Sequence, residues 1–418
     1  MGGERSGDEP YFFLSYARTP RPDHDPEVDP DYWVHKLYDD LCGEVLALIK
    51  SRVAGFMDRE IKVGAQWSTK VTKALAACRV FVPLYSPRYF ASENCGKEWY
   101  AFSRRVLDQR AREPGTEMAI VPALWTGMDE EALPNVAREI QFNHHDLSER
   151  YIQHGFIGIM KVGLFKDDYM LALQGLARRI VEVAKTTDID PGRNVDFATS
   201  ESAFGDTEVH QMPEKRMQLT VVTFDVGHLP KRRDTQYYGR TPREWRPYFP
   251  SASMPIIDYA LELAHYLGCK PAVISLQDHL RDAASGAVAP GLFLIDCWAA
   301  MSQQYRADLR SLDQLDQYCT SVLHPCSEED GQSVKASDRL RTNLESCLPH
   351  KVDSIPHRLR RAALRIETIE DFGDVMAPMI MTMRRRFLQQ ATPYPPQGTA
   401  TKRPRLTARD DDDDEGTR

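Results

Sequence analysis

The sequence lacks a long apolar run. Its best candidate, GFIGIMKVGLF, falls short of the ~18 residues that a bilayer crossing needs and is interrupted by Lys161, so a membrane span is excluded. It also lacks an excess of basic charge: 53 Lys plus Arg stand against 61 Asp plus Glu, a net charge of −8. No overall field exists to hold nucleic acid or anionic lipid, and the basic clusters Lys231 to Arg233 and Arg384 to Arg386 are too short to outweigh it. No Walker-type phosphate loop or dinucleotide fingerprint occurs, which argues against a nucleoside triphosphatase or a hydride-transfer enzyme. The eight cysteines form no CxxC pair, and the polar start MGGERSGDEP does not read as a secretory leader, so a reduced, cytoplasmic protein is expected. Cys319, His324, Cys326, Cys347 and His350 match no zinc-ligand spacing, and no metal is expected.

What is present suits a folded chain. The 418 residues allow two or three units at roughly 150 residues each, and 42% hydrophobic with 27% charged residues is close to the globular average. From Tyr11 to about Lys185, short β-branched or aromatic runs alternate with segments of helical period, the pattern of an α/β unit with a mainly parallel sheet. Strands are expected at YFFLSYA, VAGFMD, RVFVPLY and MAIVPALW. Trp33, Leu37, Leu41, Val45 and Leu48 mark a first helix, capped by Asp29 or Asp31. A second helix carries Val71, Ala74, Leu75 and Cys78 on one face, and a third begins near Ser92. A helix over 169–184 turns Leu171, Leu173, Leu176, Ile180 and Val183 inward.

Residues 187–215 are poor in large apolar groups and carry Pro191, Gly192 and Gly205, which predicts a linker. A second α/β pattern spans 216–391: strand LTVVTFDV, a loop through Pro250, helix PIIDYALELAHYLG, strands KPAVISL and GLFLIDCW, then helices from about Ser337 to Leu388. Its order echoes the first unit, which leaves a diverged tandem copy as one reading. The tail 392–418 is Pro-rich, then basic, then acidic, and is expected to be disordered.

Four ordered segments resemble the TIR domain family: YFFLSYAR, FMDREIKVGAQW, LYSPRYFASENCGKEW and ALWTGMDEEALPNVAREIQF. The resemblance implies a flavodoxin-like parallel sheet over 8–186. The whole chain is similar to the actinobacterial TIR-like proteins called FxsC, found beside ribosomal-peptide maturation genes. That similarity implies a precursor peptide or its maturation enzymes as partners.

The resemblance places Glu98, three residues after Cys95, at the family's catalytic glutamate. A carboxylate early in a helix that follows a parallel strand sits in the crevice where α/β sheets bind ligands, and the helix N-terminus is expected to keep it ionised. It would steady an oxocarbenium-like transition state as nicotinamide leaves NAD, with NAD as substrate and no resident cofactor. Ser15 and Arg18, at the end of the first strand, face the same crevice, where Arg18 can clamp a phosphate or form a surface ion pair. Where many members carry Trp before the Cys, this chain has Asn94, so a stacking aromatic must come from Tyr16, Trp67, Trp99 or Trp33, each also a core candidate. Cys95 reads as packing. Asp58, Arg59, Glu60, Lys62 and Gly64 form a polar loop suited to gate the site or dock on another copy, and the resemblance implies self-association through it. Asn143, His144, His145 and Asp146 read as a solvated loop. Two functions therefore stand: an NAD glycohydrolase or cyclase regulated by its C-terminal unit, and a non-catalytic adaptor.

Overall fold

The computed structural model describes residues 9–20, 29–59, 69–140, 147–193, 200–204, 216–285, 289–315 and 318–390. The first unit holds β1 (Phe12–Ser15), α1 (Tyr32–Leu48), β2 (Gly55–Met57), α2 (Thr69–Ala77), β3 (Val80–Tyr85), α3 (Pro87–Phe90), α4 (Glu93–Arg112), β4 (Ala123–Leu124), α5 (Asn135–Arg138), α6 (Glu149–Lys161) and α7 (Lys166–Thr187). The strands pair in the order β2-β1-β3-β4, all parallel, with Ser15 beside Pro83 and Leu84 beside Ala123. All six residues of β3 are buried, as an unbroken apolar run in a central strand requires.

Several local expectations are corrected. MAIVPALW is not a full strand: only Ala123 and Leu124 join the ladder, with one isolated bridge from Ile120 to Phe81, because Pro83 of β3 has no N–H to offer the Val121 carbonyl between them. Asp31 occupies the N-cap position of α1 but makes no cap bond; its carboxylate accepts from Thr19 N at 3.0 Å, while Asp29 accepts from Asp31 N. On α7, Leu171 is 63% exposed while Leu173, Leu176, Ile180 and Val183 are buried, since a residue two places from Leu173 points well away from that face. Leu48, at the last turn of α1, is exposed as well, and Trp33 is half-buried.

Of the residues expected as linker, 189–190 and 203–204 pack on the first unit, whereas Arg193 pairs with Asp371 of the second at 2.7 Å. The buried guanidinium of Arg105 donates to the carbonyls of Asp190 (2.6 Å) and Ile189 (2.9 Å) and to those of Leu75 and Cys78. Ile189, Ala203 and Phe204 are buried.

The second unit holds β5 (Arg216–Val222), α8 (Ile256–Tyr266), β6 (Lys270–Val273), α9 (Leu276–Ala284), β7 (Gly291–Ile295), α10 (Gln303–Gln314), β8 (Thr320–Leu323), α11 (Gly331–Lys335), α12 (Ser337–Cys347), α13 (Pro349–Ser354), α14 (His357–Ala363) and α15 (Ile369–Gln390). Its order β6-β5-β7-β8, again all parallel, repeats the first sheet position by position. The expected succession of two strands omits α9, which intervenes between β6 and β7, and β8 was not foreseen. The two units meet along α4, which packs on α8 and α15. Arg104 is buried there: Nε donates to Tyr259 (2.6 Å) and Asp108 (3.0 Å), and Nη2 to the Glu370 carbonyl (2.5 Å). A side chain at Gly373 would collide with that guanidinium, its Cβ standing 1.9 Å from Cζ. Arg110 pairs with Glu262 at 2.6 Å, and Arg112 with Glu370. The tail 392–418 lies outside the described residues. Among the described residues no helix is long and apolar enough to cross a membrane.

Candidate functional site at the C-terminal edge of the first sheet

Two caps place the site. Ser86 accepts from Tyr89 N at 3.1 Å with Pro87 at the first helical position, which starts α3 and aims Tyr89 at the sheet. Ser92 accepts from Cys95 N at 3.3 Å and starts α4, which puts Glu98 in the second turn beside the end of β1. The Ser15 hydroxyl, 1% exposed at the last position of β1, donates to Oε2 of Glu98, and the Tyr89 hydroxyl lies 3.0 Å from Ser15 Oγ. With Ser15 donating to Glu98, Tyr89 is the donor to Ser15.

Glu98 is 7% exposed and forms part of the wall of a cleft of about 250 Å³, lined also by Tyr16, Arg18, Asp58, Arg88 and Asn94. Burial pushes its carboxyl up from 4.5 to about 8. The Ser15 bond and Arg18 pull it down, Asp58 pushes it up, and burial prevails. The expectation of an ionised carboxylate is therefore corrected. The helix terminus acts within the first turn, which Glu93 occupies, and cannot offset removal of Glu98 from water one turn further on. Cys95 is buried next to it, and burial pushes its thiol up.

The structure brings Ser15, Tyr16, Arg18, Asp58 and Glu98 together. Arg18 Nη2 donates to Oδ2 of Asp58 at 2.9 Å and to its carbonyl at 3.1 Å, forming an ion pair at the cleft rim, and Tyr16 donates to the same carbonyl at 3.2 Å. Arg59 turns away to Asp39 and stacks 5.1 Å over Tyr38. Trp99 is a core residue, 1% exposed. Glu60, Lys62, Gly64 and Trp67, like Asn143, His144, His145 and Asp146, lie outside the described residues. Sequence reasoning missed Tyr89 and Arg88; the Ser-Pro start of α3 was the available signal. Among the described residues no group of three or more His, Cys, Asp or Glu is placed to hold a metal ion, and no cysteine is in a disulfide.

A parallel four-stranded sheet with a carboxyl in the crevice beyond its strand ends defines an α/β unit of the ligand-binding kind. Residues 12–154, about a third of the chain, match the family model described as TIR domain, and the N-terminal unit is a TIR domain. At the level of the family this carries a signalling or NAD-related role, and TIR domains commonly self-associate or bind other proteins. No curated protein matches the chain.

Proposed function

We propose that the chain is a TIR signalling protein whose first unit, 8–186, cleaves the bond between nicotinamide and ribose in NAD, under control of a second unit over 216–391 reached through 187–215. The observation that carries this reading is the Glu98 carboxyl in the wall of a cleft at the C-terminal ends of β1 and β3. The cleft is smaller than the about 300–1,000 Å³ of drug-sized sites, so it suits a nucleoside-sized part of the substrate, with phosphates at the rim near Arg18 and Arg88.

In the state described, Glu98 is neutral and bonded to Ser15. Substrate entry transfers its hydrogen bonds to ribose hydroxyls, and positive charge developing on the ribose favours passage of its proton to water at the mouth of the cleft. The electron pair of the glycosidic bond leaves with nicotinamide. Water then adds to the anomeric carbon and gives up a proton to the Glu98 carboxylate, or an adenine nitrogen of the same molecule closes a ring. Nicotinamide release from NAD by the purified full chain, with Glu98→Gln as control, tests this; equal rates for the two proteins under every condition would refute it.

A second reading, a non-catalytic adaptor, is favoured by Ser15 occupying Oε2 of Glu98 within the fold. It expects Gly64→Arg to abolish self-association while Glu98→Ala leaves it intact. The FxsC similarity adds a precursor peptide and maturation enzymes as partners of the second unit, and recovery of either with the protein from its host tests that. A cytoplasmic setting suits the eight cysteines, none of them in a CxxC pair.

A further inference from the structure

The segment between the two units reaches the helix that carries Glu98. Ala203 N donates to the Gly96 carbonyl at 3.0 Å, within the first turns of α4. Ser202 fills the space that a side chain at Gly96 would take, since a Cβ there would stand 1.9 Å from Ser202 Oγ. Phe204, buried, sets its ring edge to face against Phe90 (5.1 Å), Tyr89 (5.5 Å) and Trp99 (5.6 Å). Tyr89 in turn meets Ser15, and Ser15 meets Glu98. A line of direct contacts thus runs from the 200–204 strap to the carboxyl. The other end of α4 is held by the second unit through Arg104, Arg110 and Arg112.

We infer that Phe204 is a positioning residue for Glu98: the strap keeps Tyr89 on Ser15 and Ser15 on the carboxyl, and withdrawal of the strap with the second unit frees Glu98 into the cleft. This deepens the proposed function by naming how the site is controlled, and its catalytic consequence rests on that reading. The strap approaches α4 so closely only because position 96 has no side chain, and Phe204 sits in an aromatic box supplied entirely by α3 and α4. A partner that binds the second unit better with the strap withdrawn would shift the population by its difference in affinity for the two states.

The test uses the full chain and two readouts. One is coupling of glycine ethyl ester to Glu98 by a water-soluble carbodiimide, quantified by peptide mass spectrometry. The other is nicotinamide release from NAD. Phe204→Ala removes the ring, Phe204→Leu keeps most of its bulk, and Gly96→Ala pushes the strap off α4, because the added Cβ would stand 1.9 Å from Ser202 Oγ and 3.2 Å from the Phe204 ring. Each aromatic pair is worth up to about tenfold and Phe204→Ala removes three, so Phe204→Ala should raise coupling at Glu98 by about tenfold or more, Gly96→Ala should raise it as well, and Phe204→Leu should fall between Phe204→Ala and wild type. Asp296, a buried carboxyl of the second unit, is the internal control.

A rise at Glu98 and not at Asp296, together with faster nicotinamide release, supports the inference and the enzymatic reading alike. The same rise with no NAD cleavage keeps the strap and removes the enzyme. Unchanged coupling in folded variants, or an equal rise at both carboxyls, overturns the inference. Should Phe204→Ala fail to give a cooperative unfolding transition, Gly96→Ala decides.

Discussion

Replacing Glu98 by Gln should make the protein more stable, and increasingly so as pH rises. In the unfolded chain this carboxyl loses its proton near 4.5; in the fold, burial holds the proton until about 8. Between those values the folded state binds more protons than the unfolded one, so the Glu98 contribution to stability falls with rising pH, by about 1.4 kcal/mol per pH unit, and levels off above about 8. The full span corresponds to about 5 kcal/mol, and the part already lost at pH 7 to about 3 kcal/mol. Gln has nearly the same volume, can accept from Ser15 through its carbonyl and never ionises. Urea unfolding of wild type and Glu98→Gln at pH 5, 6, 7, 8 and 9, followed by tryptophan fluorescence, measures the difference directly. It should be below 1 kcal/mol at pH 5 and reach a plateau above pH 8. A difference independent of pH, or wild type gaining on the variant as pH rises, would mean that the carboxylate is ionised and stabilised in the fold, and the argument from burial would fail.

His324 predicts the opposite slope. It is fully buried, and burial lowers its imidazole from 6.5 to about 4. Only the unfolded chain is charged between those values, so this contribution should be complete above pH 6.5 and lost as pH falls towards 4, by about 3 kcal/mol; a His324→Gln variant that keeps the full acid slope would refute it. Arg104→Met strands Asp108 and Tyr259 without their cation between the two units and should cost about 3–5 kcal/mol, read as a fall in the thermal midpoint; a change under 1 kcal/mol would show that the ion pair is not buried as described. Arg233→Ala should cost a similar amount by leaving Asp330 unpaired, with part of the loss recovered by millimolar methylguanidinium and not by methylammonium. Equal rescue by both cations would mean that the guanidinium shape is not being recognised.

The legible parts of this fold are those whose stability is local. VFVPLY announces a buried strand without any tertiary information, and Ser92 followed by Cys95 announces a capped helix start. α9 was invisible because only Leu276 and His279 of its nine residues are buried, too few to mark a period. Leu171 shows the converse failure: an apolar residue on an amphipathic helix was assigned to the core although its direction from the axis puts it in solvent. The location of Glu98 was readable from its spacing to Cys95, whereas its protonation was not. Charge state depends on Ser15, Arg18 and Asp58, 83, 80 and 40 residues away in sequence, and on how much water the cleft admits. Phe204, one of two phenylalanines among mostly polar residues over 187–215, read as linker because the box that receives it is built from α3 and α4.

The repetition of sheet order sharpens the functional contrast between the units. In the first, a hydroxyl at the end of β1, a carboxyl following β3 and a tyrosine hydroxyl meet as Ser15, Glu98 and Tyr89. In the second, Thr223 at the end of β5 and Tyr238 both donate to Oδ2 of Asp296, just after β7, at 3.0 and 2.9 Å. The same kinds of group therefore gather at the corresponding edge of each sheet. Their surroundings differ. Next to Asp296 the chain supplies its own cation: Arg233 lies 5.0 Å over Trp298, 4.9 Å over Tyr237 and 5.2 Å over Tyr238, donates from Nε to the Tyr238 hydroxyl, and is bidentate on Asp330. The polar groups there are paired with one another, whereas Glu98 borders a cleft. Asp296 is thus engaged by Thr223 and Tyr238 within the second unit, and under the proposed function it is the first unit that is expected to carry the chemistry. The second unit holds the C-terminal half of α4 through Arg104, Arg110 and Arg112, which is the contact through which the proposed control would act.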